Sequence, residues 1–298
     1  MRFIDATGVA ALGPAAAVQA ITDALRGGLD PATDPARVSV DLTKGQLLLM
    51  PSQTPAAVGV KVVTVAPDNP NRGLPRIQAA YLLFDQDTLA LRAILDGSAL
   101  TTLRTAAVSV AAVLDRLPDR ALRVAVIGAG PQAIGHVSTL AAVRPLEDAT
   151  YLVRDPSRTP LDAVALGSPQ ADQALRSADV AVCATSARSP VFDSALLGDD
   201  AVVVAVGSHE PEARELDAPL LGRASVVVED VTAALREAGD VILAVADGTL
   251  KPADLLPMRD VVTGAVDVPT DRPLVFKSVG MGWQDLVVAA AVLQHSEG

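Results

Sequence analysis

The stretch Val124-Ala125-Val126-Ile127-Gly128-Ala129-Gly130-Pro131-Gln132-Ala133 decides the fold. An apolar run, Arg123 to Ile127, leads into Gly-x-Gly-x-x-Ala, and a helical stretch runs from Gln132 to Val143. This order predicts strand, tight turn, helix. The first glycine makes the turn and the second lets the backbone approach a pyrophosphate. The small third residue allows the helix to pack closely on the strand. In this context the motif predicts dinucleotide binding, the alternative being a purely structural turn.

Downstream, short apolar runs recur at Thr150 to Val153, Val180 to Ala184, Ala201 to Val206, Ser225 to Val228 and Leu274 to Phe276. Helical stretches separate most of them, so the pattern predicts an α/β fold: a Rossmann-type, doubly wound parallel sheet. Upstream the pattern differs. A helix is expected at Pro14 to Leu25, then a hairpin from Arg37 to Val40 and Gln46 to Met50 around Lys44-Gly45. Further strands are expected at Val58 to Val65, Ile77 to Phe84 and Leu89 to Leu95, then a helix from Leu100 to Leu117 stopped by Pro118. The last helix, Trp283 to Gln294, is strongly apolar and is expected to pack back on this first region. The expected domains are residues 1–117 with 281–298, an antiparallel-looking α+β domain, and 118–280, the Rossmann domain.

Composition narrows the function. The chain has 298 residues, 35 acidic against 24 basic, with 50% hydrophobic but only 2% aromatic residues. Disorder is excluded by that apolar content, and the core must be built from Ala, Val and Leu. Net charge −11 leaves no basic footprint for nucleic acid. No uncharged apolar run reaches the roughly 18 residues of a membrane span, and Met1 to Asp5 begin no secretory signal. A lone cysteine, Cys183, gives no disulfide, and His136, His209 and His295 lack metal-ligand spacing. The expected setting is the cytoplasm, without a metal, nucleic acid or membrane partner.

Lysine is rare: Lys44, Lys61, Lys251 and Lys277 are the only ones among the 24 basic residues. Unlike arginine, a buried lysine can lose its proton. Lys44 and Lys251 lie in polar turns. Lys61 and Lys277 lie in apolar runs, where a charge is costly without a partner. Arg104 and Thr105 open an apolar helix, as anion ligands or as a surface cation on a core helix. His209, in Gly207-Ser208-His209-Glu210-Pro211 after a strand, is placed for proton transfer at the carboxyl end of the sheet, or is a bystander. Glu215 and Asp217 read as helix-start charges, and Cys183 as a core residue. The strand ending Tyr151-Leu152-Val153-Arg154-Asp155 puts no acid at Val153, the usual ribose position, while Arg154 suits a 2′-phosphate; the expected cofactor is NADP, with NAD possible if Asp155 serves the ribose.

Taken together, these stretches resemble the ornithine cyclodeaminase/μ-crystallin family. The matching segments are Leu49-Met50-Pro51, Gly59-Val60-Lys61, Arg104-Thr105-Ala106-Ala107, Gly128-Ala129-Gly130-Pro131-Gln132-Ala133, Gly207-Ser208-His209-Glu210-Pro211 with Arg214-Glu215-Leu216-Asp217, and Phe276-Lys277-Ser278-Val279-Gly280-Met281. The resemblance implies a homodimer in which residues 1–117 with 281–298 dimerise and bind substrate. It implies that Arg37, Lys61 and Arg104 bind a substrate carboxylate; the chemistry of an imine then makes Lys61 and His209 the expected catalytic residues, managing protons. It implies that Thr105, Gly130, Gln132 and Ala133 hold the pyrophosphate and that Arg154, Thr185, Val206 and Ser278 line the cofactor; Gly128, from the glycine turn, and Arg104 are also expected at the cofactor. In cyclodeaminases an aspartate follows the fourth Rossmann strand as acid–base; the matching position here is His209. The expected activity is therefore NAD(P)H-dependent reduction of a small 2-imino acid, such as a cyclic ketimine. The alternatives are an ornithine cyclodeaminase-type lyase making L-proline and ammonia, an alanine dehydrogenase-like enzyme, and a non-catalytic crystallin-like NADP-binding protein.

Overall fold

The computed structural model describes all 298 residues. The chain forms two compact units, Met1–Val108 with Met281–Gly298, and Ser109–Gly280.

The first unit begins with β1 (Arg2–Ile4), α1 (Ala6–Ala10) and α2 (Pro14–Arg26). α2 starts with proline in its first turn, buries Ala17, Val18, Ile21 and Leu25 along one stripe, and stops at Gly27. Then come β2 (Val38–Leu42), β3 (Gly45–Thr54), β4 (Ala57–Val65), β5 (Ile77–Asp85), β6 (Leu91–Asp96) and α3 (Gly97–Val113). The sheet order is β1-β6-β5-β4-β3-β2. It is antiparallel except at one edge, where β1 runs parallel to β6, a strand too short for alternation to reveal. Lys61 lies in register between Met50 on β3 and Tyr81 on β5. Side chains alternate across a strand, so Lys61 shares its face with buried Val63, Tyr81, Leu83 and Leu95. The C-terminal helix, Gly282–His295, covers that face.

α3 begins three residues earlier than the sequence predicts. The Asp96 carboxylate accepts from the amides of Ser98 and Ala99, both at 2.9 Å, and so caps the start. The helix gives way to a tighter turn at Leu114–Arg116. Residues 97–116 are long and apolar enough to cross a membrane, but 67% of the most apolar window is buried, as in a core helix.

The second unit contains β7 (Leu122–Ile127), α4 (Pro131–Val143), β8 (Leu146–Val153), β9 (Ala163–Ala165), α5 (Pro169–Ser177), β10 (Val180–Cys183), β11 (Val202–Ala205), α6 (Ala218–Arg223), β12 (Ser225–Val228), α7 (Val231–Glu237), α8 (Gly239–Ala246), β13 (Leu255–Pro257), α9 (Met258–Val262) and β14 (Leu274–Lys277). All eight strands are parallel, in the order β13-β12-β14-β11-β10-β7-β8-β9. β10, β11 and β12 are buried at every residue because helices cover both faces, which is why they read as Val and Ala with only Cys183 and Ser225 at their ends. The chain runs outward from β7 to β8 and β9, then returns to β10 on the other side of β7. The strand order therefore reverses at Gly128, where open α/β sheets bind their ligands. Between β8 and β9 there is only a short turn, Pro156–Arg158, in place of a full crossover helix.

Candidate active site

In the first unit, three elements bring charges to one buried place. Lys61 on β4 is 2% exposed, Arg104 on α3 is 5% exposed, and Asp285 on the C-terminal helix is fully buried. Lys61 Nζ lies 2.8 Å from Asp285 Oδ2, and Arg104 Nε lies 3.0 Å from Oδ1. Arg104 Nη1 donates to Gln284 Oε1 at 2.7 Å. The cations exceed the carboxylate, and the charge of half-buried Arg37 also reaches Lys61. Burial, then the Arg104 charge, lowers the Lys61 ammonium from 10.5 to about 8, with Asp285 opposing. The cluster is thus short of negative charge and holds an amine that can exchange a proton near neutral pH. Thr105, the next residue on α3, is also buried.

Two neighbours of this cluster lie outside the sequence reading. Asp34 accepts from the Trp283 amide at 3.0 Å at the start of the C-terminal helix, and burial raises it to about 6. Tyr81 is fully buried, its hydroxyl has no hydrogen-bond partner, and burial with the charges of Asp285 and Asp34 pushes its pKa up. The phenol lies over Gly59, where a Cβ would sit 2.1 Å from its oxygen. Asp285 did leave a signal, as an acid in the apolar run Trp283 to Leu293, but only the fold pairs it with Lys61. Asp34 and Tyr81 left none.

In the second unit, the glycine turn sits at the strand-order reversal. Gly128 has φ of +120°, and a Cβ there would lie 2.6 Å from the Ala184 carbonyl oxygen. Gly130 is different: it is exposed, precedes α4, and a Cβ on it would meet nothing within 4 Å. The protein itself does not require glycine there, whereas a ligand backbone contact would. Ala133, in the first turn of α4, is fully buried. Gln132 gives its carbonyl to His136 Nδ1 at 2.7 Å, and His136 Nε2 lies 3.0 Å from Ser109 Oγ. Burial depresses His136 to about 4, so it is a neutral packing residue. No metal-binding cluster is present.

The remaining positions fall at the carboxyl ends of the parallel strands. Thr185 follows β10, Val206 follows β11, and Ser278 follows β14. Ser278 Oγ donates to Glu229 Oε1 at 2.7 Å, and Glu229 also accepts from the amides of Val279 and Gly280. Arg154 is exposed after β8, and Asp155 is engaged in capping the next turn, accepting from Ser157 N at 3.0 Å and Ser157 Oγ at 2.7 Å. His209 is half-buried in the loop after β11. The sequence reading of Glu215 needs correction. Asp217 does cap α6, accepting from Leu220 N, but Glu215 is fully buried and bonds the loops after β10 and β11. An acid two residues before a cap resembles a solvated charge in sequence. Its partners come from loops 30 and 8 residues away.

The ornithine cyclodeaminase/mu-crystallin family model matches residues 15–298. The chain belongs to this family. It is 34% identical over 271 residues to the ketimine reductase mu-crystallin of Rattus norvegicus, covering 87% of this chain and 83% of the relative. A Thermococcus litoralis Δ1-pyrroline-2-carboxylate reductase, solved with NADH and L-proline, superposes with a TM-score of 0.89 at 25% identity, covering 99% of this chain and 98% of that one. An archaeal alanine dehydrogenase dimer with bound NAD superposes with a TM-score of 0.86 at 26% identity, covering 99% and 95%. The fold is therefore of the Rossmann-like type that this family shares.

Proposed function

We propose that this family member is an NAD(P)H-dependent reductase of a small 2-imino acid. The buried Lys61–Asp285–Arg104 cluster carries the reading. An imino acid presents a carboxylate beside a C=N bond. A carboxylate answers the surplus positive charge, and Arg104 with Arg37 offers guanidinium groups shaped for it. A nicotinamide cofactor, when bound, would supply a hydride for the imine carbon. This chain supplies orientation and the proton. Lys61, near its own titration point, protonates or polarises the imine nitrogen, which makes the carbon electron-poor. Asp285 keeps Lys61 and Arg104 in place. His209 is assigned a part in proton exchange, since an imidazole can both give and accept a proton.

The cofactor residues fit a dinucleotide. Gly130 leaves space at a helix start, beside a Gly128 that the fold requires, and Gln132 and Ala133 follow in the first turn of α4. Thr105, Thr185, Val206 and Ser278 are assigned to line the cofactor, with Arg104. The relatives described above include proteins solved with NADH and NAD. We assign NADP to this chain because exposed Arg154 stands at the end of β8 with no acid at Val153. The first unit is assigned substrate binding and dimerisation, the second cofactor binding, in a homodimer of the reducing cytoplasm. A dimer is supported by the uncovered sheet face. Val38, Val40 and Phe3 are exposed there, in register with Leu49, Leu47 and Ile94.

An absorbance assay tests the reading. Pyrroline-2-carboxylate and piperideine-2-carboxylate are offered with NADPH and NADH separately, beside an ammonia assay on L-ornithine. Cofactor oxidation dependent on imine, faster with NADPH, is expected. Ammonia release without net cofactor change would replace the reading with a cyclodeaminase.

A further inference from the structure

The mechanism above leaves unused a fully buried charge group under the carboxyl end of the parallel sheet. Glu215 and Asp240 are at most 1% exposed, as is Lys277. Glu215 Oε1 accepts from Thr185 N at 2.8 Å and Thr185 Oγ1 at 2.7 Å, while Oε2 accepts from Gly207 N at 2.7 Å. One carboxylate therefore ties together the loops leaving β10 and β11, which are neighbours in the sheet. Asp240 on α8 holds Glu215 in turn. Its Oδ1 accepts from the amides of Glu215 and Leu216 at 2.7 and 2.8 Å. Its Oδ2 pairs with Lys277 Nζ at 2.9 Å. Lys277 Nζ also donates to the Ser208 carbonyl at 2.7 Å, the peptide unit just before His209.

We propose that Glu215, Asp240 and Lys277 are positioning residues that set the cofactor crevice and the His209 loop. The inference rests on the reading that a nicotinamide dinucleotide binds at this end of the sheet. Stability alone is a poor account of the group, because replacing buried ions by well-packed apolar residues of similar volume is often neutral or stabilising. What the ions provide is direction. The chain leaves its strands here, so the amides of Thr185 and Gly207 and the carbonyl of Ser208 lose their sheet partners and must find others. The loops also touch. A Cβ on Gly207 would lie 2.0 Å from the Thr185 carbonyl oxygen, and one on Gly128 would lie 2.6 Å from that of Ala184. Ala184 and Thr185 therefore lie between the glycine turn on one side and the Gly207 loop on the other, with no room for a side chain at either glycine.

The test uses the full chain and two variants. Glu215→Gln keeps the shape but turns one acceptor into a donor facing an N–H. Lys277→Met with Asp240→Asn removes that ion pair as a unit and leaves the Glu215 carboxylate on its donors at Thr185 and Gly207. Cofactor affinity is read by fluorescence titration with NADH and NADPH, and steady-state KM and kcat by imine reduction, well below each Tm. Both variants are expected to weaken cofactor binding by about 10-fold or more. The double variant is also expected to lower kcat by about 10-fold, while KM for the imino acid stays within about twofold, because Lys61 and Arg104 are untouched. A purely structural role would lower Tm but leave both KM values and kcat per folded molecule at wild-type levels, and that result overturns the proposal. If Glu215→Gln does not fold, the double variant decides. Wild-type protein that binds cofactor but reduces no imine overturns the reductase reading alone, and the affinities still decide this one. Wild-type protein that binds neither cofactor overturns both.

Discussion

At Lys61 the chemistry of the chain narrows to one amine. Burial and Arg104 hold its pKa near 8, where the unfolded chain keeps the ordinary 10.5. The proposed reduction uses the protonated amine, so kcat is expected to fall as pH rises through about 8. Lys61→Met should lose that limb together with about 100-fold or more in kcat, while Asp285 keeps Arg104 as its partner. Stability runs the other way. Between about pH 8 and 10.5 the unfolded chain binds the proton and the folded chain has released it, so unfolding free energy should rise across that window. Urea titrations at both ends of the window check this, and a Lys61→Met profile should be flatter. The sequence exposed Lys61 because a lysine in an apolar strand is conspicuous. It did not expose Asp34 or Tyr81, since an acid near a proline and a tyrosine in a strand are both commonplace.

The element that matters most is the turn from β7 into α4, and its two glycines answer to different demands. Gly128 is fixed by backbone geometry, with φ of +120° and the Ala184 carbonyl against it. Gly130 has an ordinary φ of −85° and open space before it. Gly128→Ala is expected to destabilise the fold by about 1–3 kcal/mol. Gly130→Ala should leave stability within about 0.5 kcal/mol of wild type, yet weaken nicotinamide-cofactor binding about 10-fold, because the new methyl meets the ligand rather than the protein. Thermal melts and cofactor titrations on the two variants separate the effects, and equal losses of stability would contradict the assignment. At this scale sequence was a good guide where strands are buried on both faces. It was weaker for β1, β9 and β13, each three residues long and held by a single neighbouring strand.

For the whole molecule, the open face of the first sheet is the feature with consequences for assembly. Phe3, Ile94, Leu82, Val60 and Pro51 form one row across it, and Val38, Leu49 and Val62 form another. The face opposite is filled by the C-terminal helix. Leu82→Arg puts a charge at the centre of the open face without entering the buried one. It is expected to convert the proposed dimer to monomers in light scattering, with little change in far-ultraviolet circular dichroism. A dimer mass unchanged by the substitution would count against this face as the interface, and a wild-type monomer mass would overturn the dimer.

By itself, the sequence determined what depends on neighbours along the chain. Periodicity marked the strands and helices, the Gly-x-Gly-x-x-Ala turn marked the dinucleotide fold, and lysines in apolar runs marked the places where charge would need a partner. The tertiary structure alone decided who those partners are. Lys61 meets Asp285 across 224 residues and Lys277 meets Ser208 across 69. Glu215 joins loops that the chain order keeps apart. A local pattern records whether a residue prefers to be buried, because burial follows from the spacing of its own segment. It cannot record which distant charge will make that burial tolerable, because that depends on how strands are ordered in a sheet and which helix is laid across it.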